Sequence, residues 1–366
     1  MKPKYLIFIA MSILFSPLVL KHQTLSNRIV VSPMCQYSAI DGFANNWHLV
    51  HIGQFAAGKA ALVIQEATAI TPEGRITYGD LGLWKDEQMS ALQDIVNFVH
   101  DQGGLIGIQL AHAGRKASTD KPWISRAQIA PEKANGWQTV APSPIPYYPE
   151  ERPPLMLSVS QIQELVQAFR SAAVRAVEIG YDVIELHAAH GYLIHQFLSP
   201  LTNQRTDEYG GSFENRTRFL LEIVSAIKPV VENRSLWIRI SATDWADGGW
   251  GILESIKLVD IVKTMGVEVV DVSSGGAVRH QEIIVKENYQ VPFAHRIKEE
   301  TGLLTGTVGM IKRAVQAEAI IEQKKADIVL IGRGFLQNPH LVLQFADDLR
   351  VDIPWLPQYV RGKETL

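Results

Sequence analysis

Short apolar runs rich in Val, Ile and Leu alternate along this chain with longer stretches of helical periodicity, and that alternation limits the possible folds more than any other feature. Runs at Arg28–Ser32, Ala61–Glu66, Leu105–Leu110, Asp182–Leu186, Leu236–Ile240, Val267–Val272, Leu303–Thr305 and Asp327–Ile331 have the length and β-branched content of buried strands. Between them, stretches such as Ser160–Ile179, Asn215–Val231 and Glu254–Met265 have the spacing of helices. In the first, Ile162, Leu165, Val166, Phe169, Ala173, Val174 and Val177 fall on one face. Gly180 and Gly266 follow their helices as C-caps ahead of the next strand.

Repeats of this kind build parallel sheets with helices outside. Eight strands and about as many helices favour a closed (β/α)8 TIM barrel, in the α/β class, over an open doubly wound sheet. An open dinucleotide-binding sheet carries Gly-x-Gly-x-x-Gly after its first strand. No such segment occurs there, and no Walker A loop is present. Barrels hold about 250 residues or more as one unit, so a single domain is expected over residues 14–362 of the 366. The segment Ala117–Leu157, with Pro142, Pro144, Pro146, Pro149, Pro153 and Pro154, is expected to be a lid or rim excursion after the third strand.

Residues 1–13 form an apolar extension. The run Met1–Leu20, with Lys2 and Lys4 at its start, has some features of a signal peptide, but no Ala-x-Ala-like site follows and the next residues lead into a strand. It is also short for a membrane helix, so a cytoplasmic protein with no membrane partner is expected. The net charge of −3 offers no footprint for nucleic acid. The lone cysteine, Cys35, excludes an intramolecular disulfide and any iron–sulfur cluster held by four cysteines of this chain, and it fits a reducing compartment or a functional role.

Barrel enzymes place their chemistry at the C-terminal ends of the strands. There the chain has Ser32-Pro33-Met34-Cys35-Gln36-Tyr37, Glu66-Ala67-Thr68, Gln109 through Arg115, His187 through Tyr192, Arg239, Ser273 through Gly276, Gly306 through Gly309, and Gly332-Arg333-Gly334. Glycines after strands seven and eight let backbone N–H groups approach a phosphate, and Arg333 adds a guanidinium. His187 and His190 can be metal ligands with Glu185, core histidines, or paired neutral donors to one carbonyl oxygen. Tyr192 is then a potential proton donor. The Gln109 amide suits a heteroaromatic ring edge, and Arg239 suits a ring that becomes anionic on reduction. FMN bound without a Rossmann motif satisfies all of these features.

The chain resembles the Old Yellow Enzyme family of FMN-dependent ene-reductases from about Leu14 to Gly362. The resemblance rests on Asn27 through Tyr37, Gln109-Leu110-Ala111-His112-Ala113-Gly114-Arg115-Lys116, His187-Ala188-Ala189-His190-Gly191-Tyr192-Leu193 and Arg205-Thr206-Asp207-Glu208-Tyr209-Gly210-Gly211-Ser212. Cys35 and Tyr37 are similar to the bacterial thermophilic-like subgroup. The resemblance implies that Ser32, Pro33, Met34 and Cys35 line the isoalloxazine, with Cys35 near its reactive edge and tuning its potential as one of the catalytic residues, Ala67 and Gln109 on its pyrimidine side and Arg239 at its N1–O2 region. Gly309, Gly332 and Arg333 would hold the phosphate. His187 and His190, assisted by Tyr37, would bind the substrate carbonyl, and Tyr192 would donate the proton. Arg361 would reach the neighbouring site of a homodimer or homotetramer. Asp207 and its glycines suggest a turn before the Asn215 helix, and His48 and His112 are assigned to structure.

The implied activity is reduction of enones, quinones and related activated C=C bonds, with NADPH or NADH as donor, in a ping-pong cycle and with no metal. A dienoyl-CoA reductase would need cluster cysteines, and a dihydrouridine synthase would want a basic face. A metal-dependent hydrolase or aldolase would use His187 and His190 as ligands. A flavin-binding protein without catalysis would bind FMN but turn over no NAD(P)H.

Overall fold

In the computed structural model, which describes residues 12–363, eight parallel strands close into a barrel with helices outside. The strands are β1 Ile29–Val31, β2 Leu62–Ala69, β3 Leu105–Ala111, β4 Val183–Ala188, β5 Ser235–Ser241, β6 Val269–Ser273, β7 Leu304–Thr307 and β8 Ile328–Ile331. β8 pairs with β1, which completes the ring. All eight sequence-derived strands are present, with ends moved by a few residues. Around them lie α1 Asn46–Ala57, α2 Met89–Asp101, α3 Val159–Ile179, the short α4 Leu193–Leu198, α5 Phe213–Ile227, α6 Ile252–Thr264, α7 Val291–Thr301, α8 Ala314–Glu322, the short α9 Arg333–Gln337 and α10 Leu341–Asp348. Of the apolar extension expected over residues 1–13, all but Ser12 and Ile13 lies outside the described residues. Among the described residues, no helix is long and apolar enough to cross a membrane.

Local chemistry sets the helix ends. The Ser158 hydroxyl accepts the Gln161 N–H, and the Gln161 amide returns the contact to the Ser158 N–H, so α3 starts with a capping box. It stops at Gly180, whose φ of +104° only glycine adopts cheaply. α5 begins two residues before the expected Asn215, because the Ser212 hydroxyl accepts the Asn215 N–H and so caps the first turn.

The barrel interior has two levels. Below, Val30, Leu62, Ile64, Val183, Trp237, Val269, Ile328 and Leu330 pack together. An antiparallel hairpin, Leu18–Val19 against Thr24–Leu25, contributes Leu18, Leu20 and Leu25 to the same cluster and stoppers the N-terminal end. Each of these buried aliphatic side chains adds roughly 1.5–3 kcal/mol of transfer free energy. Above, the inward positions turn polar: Gln109, Glu185, Arg239 and Asp271 are all buried.

One irregularity decides what faces the axis. In β2 the register with β3 skips a residue between Gln65 and Ala67, so Ile64 pairs with Gly107 but Ala67 pairs with Gln109. Unbroken alternation from Leu62 and Ile64 would send Glu66 and Thr68 inward. The bulge instead turns Ala67 and Ala69 in and releases Glu66 to the rim.

The Pro-rich excursion 117–157 lies against the barrel mouth with one short strand pairing of its own, Val140–Ala141 with Leu155–Met156. Guanidinium groups bind its carbonyls. Arg115 donates to Ile145 and Pro146 at 3.0 and 3.3 Å, and Arg205 to Pro142 and Leu157 at 3.1 and 2.6 Å. Arg205 is itself held by Asp207, in the turn that leads into α5.

Candidate active site

The loop after β1 runs from Ser32 to Tyr37, where the backbone takes a left-handed φ of +50°. The released Glu66 carboxylate stabilises that turn by accepting the Gln36 N–H at 2.8 Å. Cys35 is half-buried beside it. Burial raises its thiol pKa well above the usual range, and the negative charges of Asp80 and Glu66 add to the effect. The Ala67 N–H and the Tyr37 hydroxyl oppose it by donating to the sulfur. The thiol is therefore neutral and poor as a nucleophile. Burial also pushes the Tyr37 phenol upward.

At the end of β4 the rings of His187 and His190 stand 5.1 Å apart, edge to face, and the Tyr192 ring is 4.9 Å from His187. His190 sits at φ +59°, with its N–H donated to the Ser241 hydroxyl at 2.9 Å. The next residue has to be glycine: a Cβ on Gly191 would fall 2.0 Å from the Gly276 carbonyl oxygen. Burial, then the Arg239 charge, drives both histidine pKa values well below 6.5, so both rings are neutral.

The tautomers follow from the neighbours. His187 Nδ1 accepts the Ala189 N–H at 3.3 Å, which leaves Nε2–H as the donor. His190 Nε2 is 2.7 Å from the Ser273 hydroxyl. The Gln290 side-chain oxygen already takes the Ser274 hydroxyl at 2.7 Å, against 3.3 Å for Ser273, so Ser273 can give its proton to His190. His190 then donates through Nδ1.

Lys116 lies beneath this pair. Its ammonium donates to the His190 and Gly276 carbonyls at 2.8 and 3.2 Å and sits over the Tyr147 and Tyr192 rings. Burial, with Arg115 adjacent, lowers its pKa to about 7. Burial raises the Tyr192 phenol well above its ordinary range, with the Cys35 sulfur and Asp80 adding to the effect.

Under the mouth, Gln109 Nε2 donates to Glu185 Oε1 at 2.8 Å, and Arg239 Nε pairs with Asp271 Oδ2 at 3.0 Å. Burial pushes Glu185 up to about 8, reinforced by Asp271. The Asp271 carboxyl is raised by burial while Arg239 works against it. A proton held on Glu185 at neutral pH leaves one carboxylate to match one guanidinium. Glu185 is thus committed to Gln109. Among the described residues no trio of His, Cys, Asp or Glu is placed to hold a metal.

Across the mouth, a cavity of about 490 Å³ opens after β7 and β8. Met34, Gly309, Met310, Lys312, Gly332 and Arg333 are among the residues that line it. Gly309 has φ +116°, and a Cβ there would lie 2.6 Å from the Gln290 amide nitrogen. Lys312 and Arg333 supply exposed cations, and α9 starts directly after Gly332.

The structure thus gathers Cys35, Tyr37, Ala67, Gln109, His187, His190, Tyr192 and Arg239 at one mouth, next to the cavity of Gly309, Gly332 and Arg333. Arg361 stands apart. It lies in the exposed turn Val360–Gly362, in a tail whose Tyr359 ring is 5.3 Å from His340, and it makes no ion pair among the described residues. The sequence alone assigns no role to Ser241, Ser273, Ser274, Gln290, Lys312 or Lys116. Only Lys116 had a visible signal, a second cation next to Arg115 at a strand end. His48 and His112 spend their Nδ1 atoms on the N–H groups of Asn45 and Gly114, as structural residues do.

Residues 13–352 match the profile of the NADH:flavin oxidoreductase / NADH oxidase family. The chain belongs to this family. The Old Yellow Enzyme resemblance is the same assignment, so the protein is an oxidoreductase with FMN as cofactor and a nicotinamide as electron donor. It is 45% identical over 351 residues to an NADPH dehydrogenase of Bacillus subtilis, across 95% of this chain and 98% of the relative. It is 44% identical over 357 residues to a NADH:flavin oxidoreductase of Gibberella zeae, across 93% and 86%. Morphinone reductase in complex with tetrahydroNAD superposes with a TM-score of 0.76 at 29% identity, covering 94% of this chain and 93% of that one. The residues present fit FMN. The mouth offers the amide of Gln109 and the guanidinium of Arg239 for the ring, and the glycine-walled cavity offers two cations for the phosphate.

Proposed function

We propose that this family member reduces the activated C=C bond of α,β-unsaturated carbonyl compounds such as enones and quinones, taking electrons from NADPH. The observation that carries this reading is the pair of neutral histidines at the barrel mouth with a tyrosine against them. Two neutral donors on adjacent rings 5.1 Å apart suit a carbonyl oxygen that gains negative charge in the transition state, and such a pair contributes several kcal/mol there. Cationic histidines would bind any anion. Neutral ones favour a dipole that grows during reaction.

In this reading His187 Nε2–H and His190 Nδ1–H hold the carbonyl oxygen, with the Tyr37 hydroxyl beside them. Gln109, Ala67 and Arg239 would hold the pyrimidine side of the flavin, Ser32, Pro33, Met34 and Cys35 its flank, and Gly309, Gly332 and Arg333 its phosphate. FMN held there would supply the hydride chemistry that links the nicotinamide to the β-carbon. Tyr192, whose raised pKa keeps its proton in place, delivers that proton to the α-carbon, or water does. Donor and acceptor share one mouth, so ping-pong kinetics follow. Arg361 acts on the site of a neighbouring copy in a homodimer or homotetramer. A cytoplasmic setting goes with the single free thiol.

The test is anaerobic spectroscopy of the FMN-loaded protein. The visible flavin band should bleach with NADPH and return on addition of 2-cyclohexenone. A band that bleaches and stays bleached through a panel of enones and quinones removes the C=C reading.

A further inference from the structure

A second cavity, of about 670 Å³, lies on the same face of the barrel, and none of the roles above uses it. Its size is within the roughly 300–1,000 Å³ typical of small-molecule sites. It is built from the loops after β1, β2 and β3, with Asp41, Glu73, Arg75, Tyr78, Lys121 and Trp137 in its wall.

Arg75 is the fixed point. Its guanidinium is stacked between Trp84 and Trp137, with its carbon 5.3 and 5.0 Å from the two ring centroids. Its Nε donates to the Pro72 carbonyl at 2.8 Å. Its terminal nitrogens have no hydrogen-bond partner among the described residues. Stacking of this kind fixes the plane of a guanidinium and leaves its edge for a planar or tetrahedral anion. Lys121 is the second cation, with its ammonium 5.1 Å from the Tyr78 ring centroid and 5.8 Å from that of Trp123. Neither cation makes a salt bridge among the described residues.

Four acids lie nearby: Asp80, which is buried and accepts the Ile76 and Thr77 N–H groups, Asp120, which accepts the Tyr78 hydroxyl, and Asp41 and Glu73. Asp41 is neutralised by Lys85 at 3.0 Å. Glu73 keeps a free carboxylate while its carbonyl accepts the Trp137 indole N–H at 2.9 Å, which pins that ring in the wall. The cavity thus offers two cations without a direct ion-pair partner among the described residues, flat aromatic walls and one acceptor for an amine.

It also adjoins the chemistry. Tyr37, at the barrel mouth, meets Trp123 edge to face at 6.0 Å, and Trp123 in turn contacts Lys121. The segment 72–80 has Arg75 and Tyr78 on this cavity, and Ile76 and Asp80 on the small space next to Tyr192. A ligand that reaches over Tyr37 from the mouth arrives here next.

We propose that this cavity takes the adenosine 2′-phosphate arm of NADPH, with Arg75 and Lys121 on the phosphate, Trp137 and Tyr78 against the purine and Glu73 accepting its amine. The assignment rests on NADPH as the donor in the function proposed above, and it is separable from the enone step. Calorimetric titration of the FMN-loaded protein with adenosine 2′,5′-bisphosphate should show one binding event. Lys121→Gln and Arg75→Gln should each weaken it about tenfold, the scale of one charge-assisted contact. The kcat/KM preference for NADPH over NADH should fall by a similar factor in Lys121→Gln, a variant that leaves the tryptophan sandwich intact. Three results overturn the proposal. They are no binding by the wild type, equal losses with NADH and NADPH, or inorganic phosphate binding as tightly as the nucleotide with Trp137→Ala silent. If the bisphosphate binds as expected but enones fail to restore the flavin band, the substrate reading falls and the cavity assignment stands.

Discussion

Lys116 holds its charge in a place that disfavours it, and its pKa of about 7 brings its titration into the working range of the enzyme. Protonated, it donates to the His190 carbonyl and fixes the backbone that aims the ring. As pH rises through about 7 the ammonium is lost, so kcat/KM for an enone should decline above that point. Lys116→Met should flatten the profile there. His187 and His190 are held well below 6.5 and should leave no inflection between pH 6 and 8. Replacing either histidine by Ala should lower kcat/KM by about 10²–10³-fold, the cost of a missing oxyanion donor. Stopped-flow traces of enone reduction across pH would check both expectations. The histidine pair, Tyr192 and Arg239 were legible in the sequence because each lies at the end of a recognisable strand. Ser273, Ser274 and Gln290 were not. Their importance lies in a relay that fixes the His190 tautomer, and only tertiary contact brings residue 290 to residue 190.

At the scale of elements, periodicity revealed all eight strands, because each buries an apolar run on at least one face. What it concealed was the β2 bulge. Alternation through Leu62, Ile64, Glu66 and Thr68 is a sound prediction of a regular strand, and the structure departs from it by one residue. No local signal marks the departure. It is fixed by Glu66 holding the Gln36 N–H and by Gln65 accepting the Tyr181 hydroxyl at 2.6 Å behind the sheet. Ala67 was placed at the ring by resemblance, not by pattern. The helix caps were more legible. Ser158→Ala removes the acceptor for the Gln161 N–H in the longest helix and should cost about 1 kcal/mol, read as a lower urea midpoint at constant slope.

At the scale of the whole molecule, the tail raises a question of ownership. Arg361 lies outside its own barrel mouth, in an exposed turn next to Tyr359 and Val360, which are themselves exposed apolar residues. If it serves a neighbouring barrel, inactive Arg361→Ala and His187→Ala proteins should recover activity when unfolded and refolded together. One site of a mixed dimer then has both groups. If each Arg361 serves its own chain, no mixture recovers.

The stoppered barrel floor bears on how the chain is made. Leu18, Leu20 and Leu25 emerge from the ribosome early, yet they pack with Ile328 and Leu330, some three hundred residues later. The N–H groups of Ile13 and Leu14 likewise wait for the Glu318 carboxylate. At about 5–20 residues per second, that interval is on the order of 15–60 s. For that time Leu18, Leu20 and Leu25 lack part of the apolar cluster they pack into. A truncation that removes β8 should therefore bare the hairpin's apolar side chains and favour aggregation, read by light scattering.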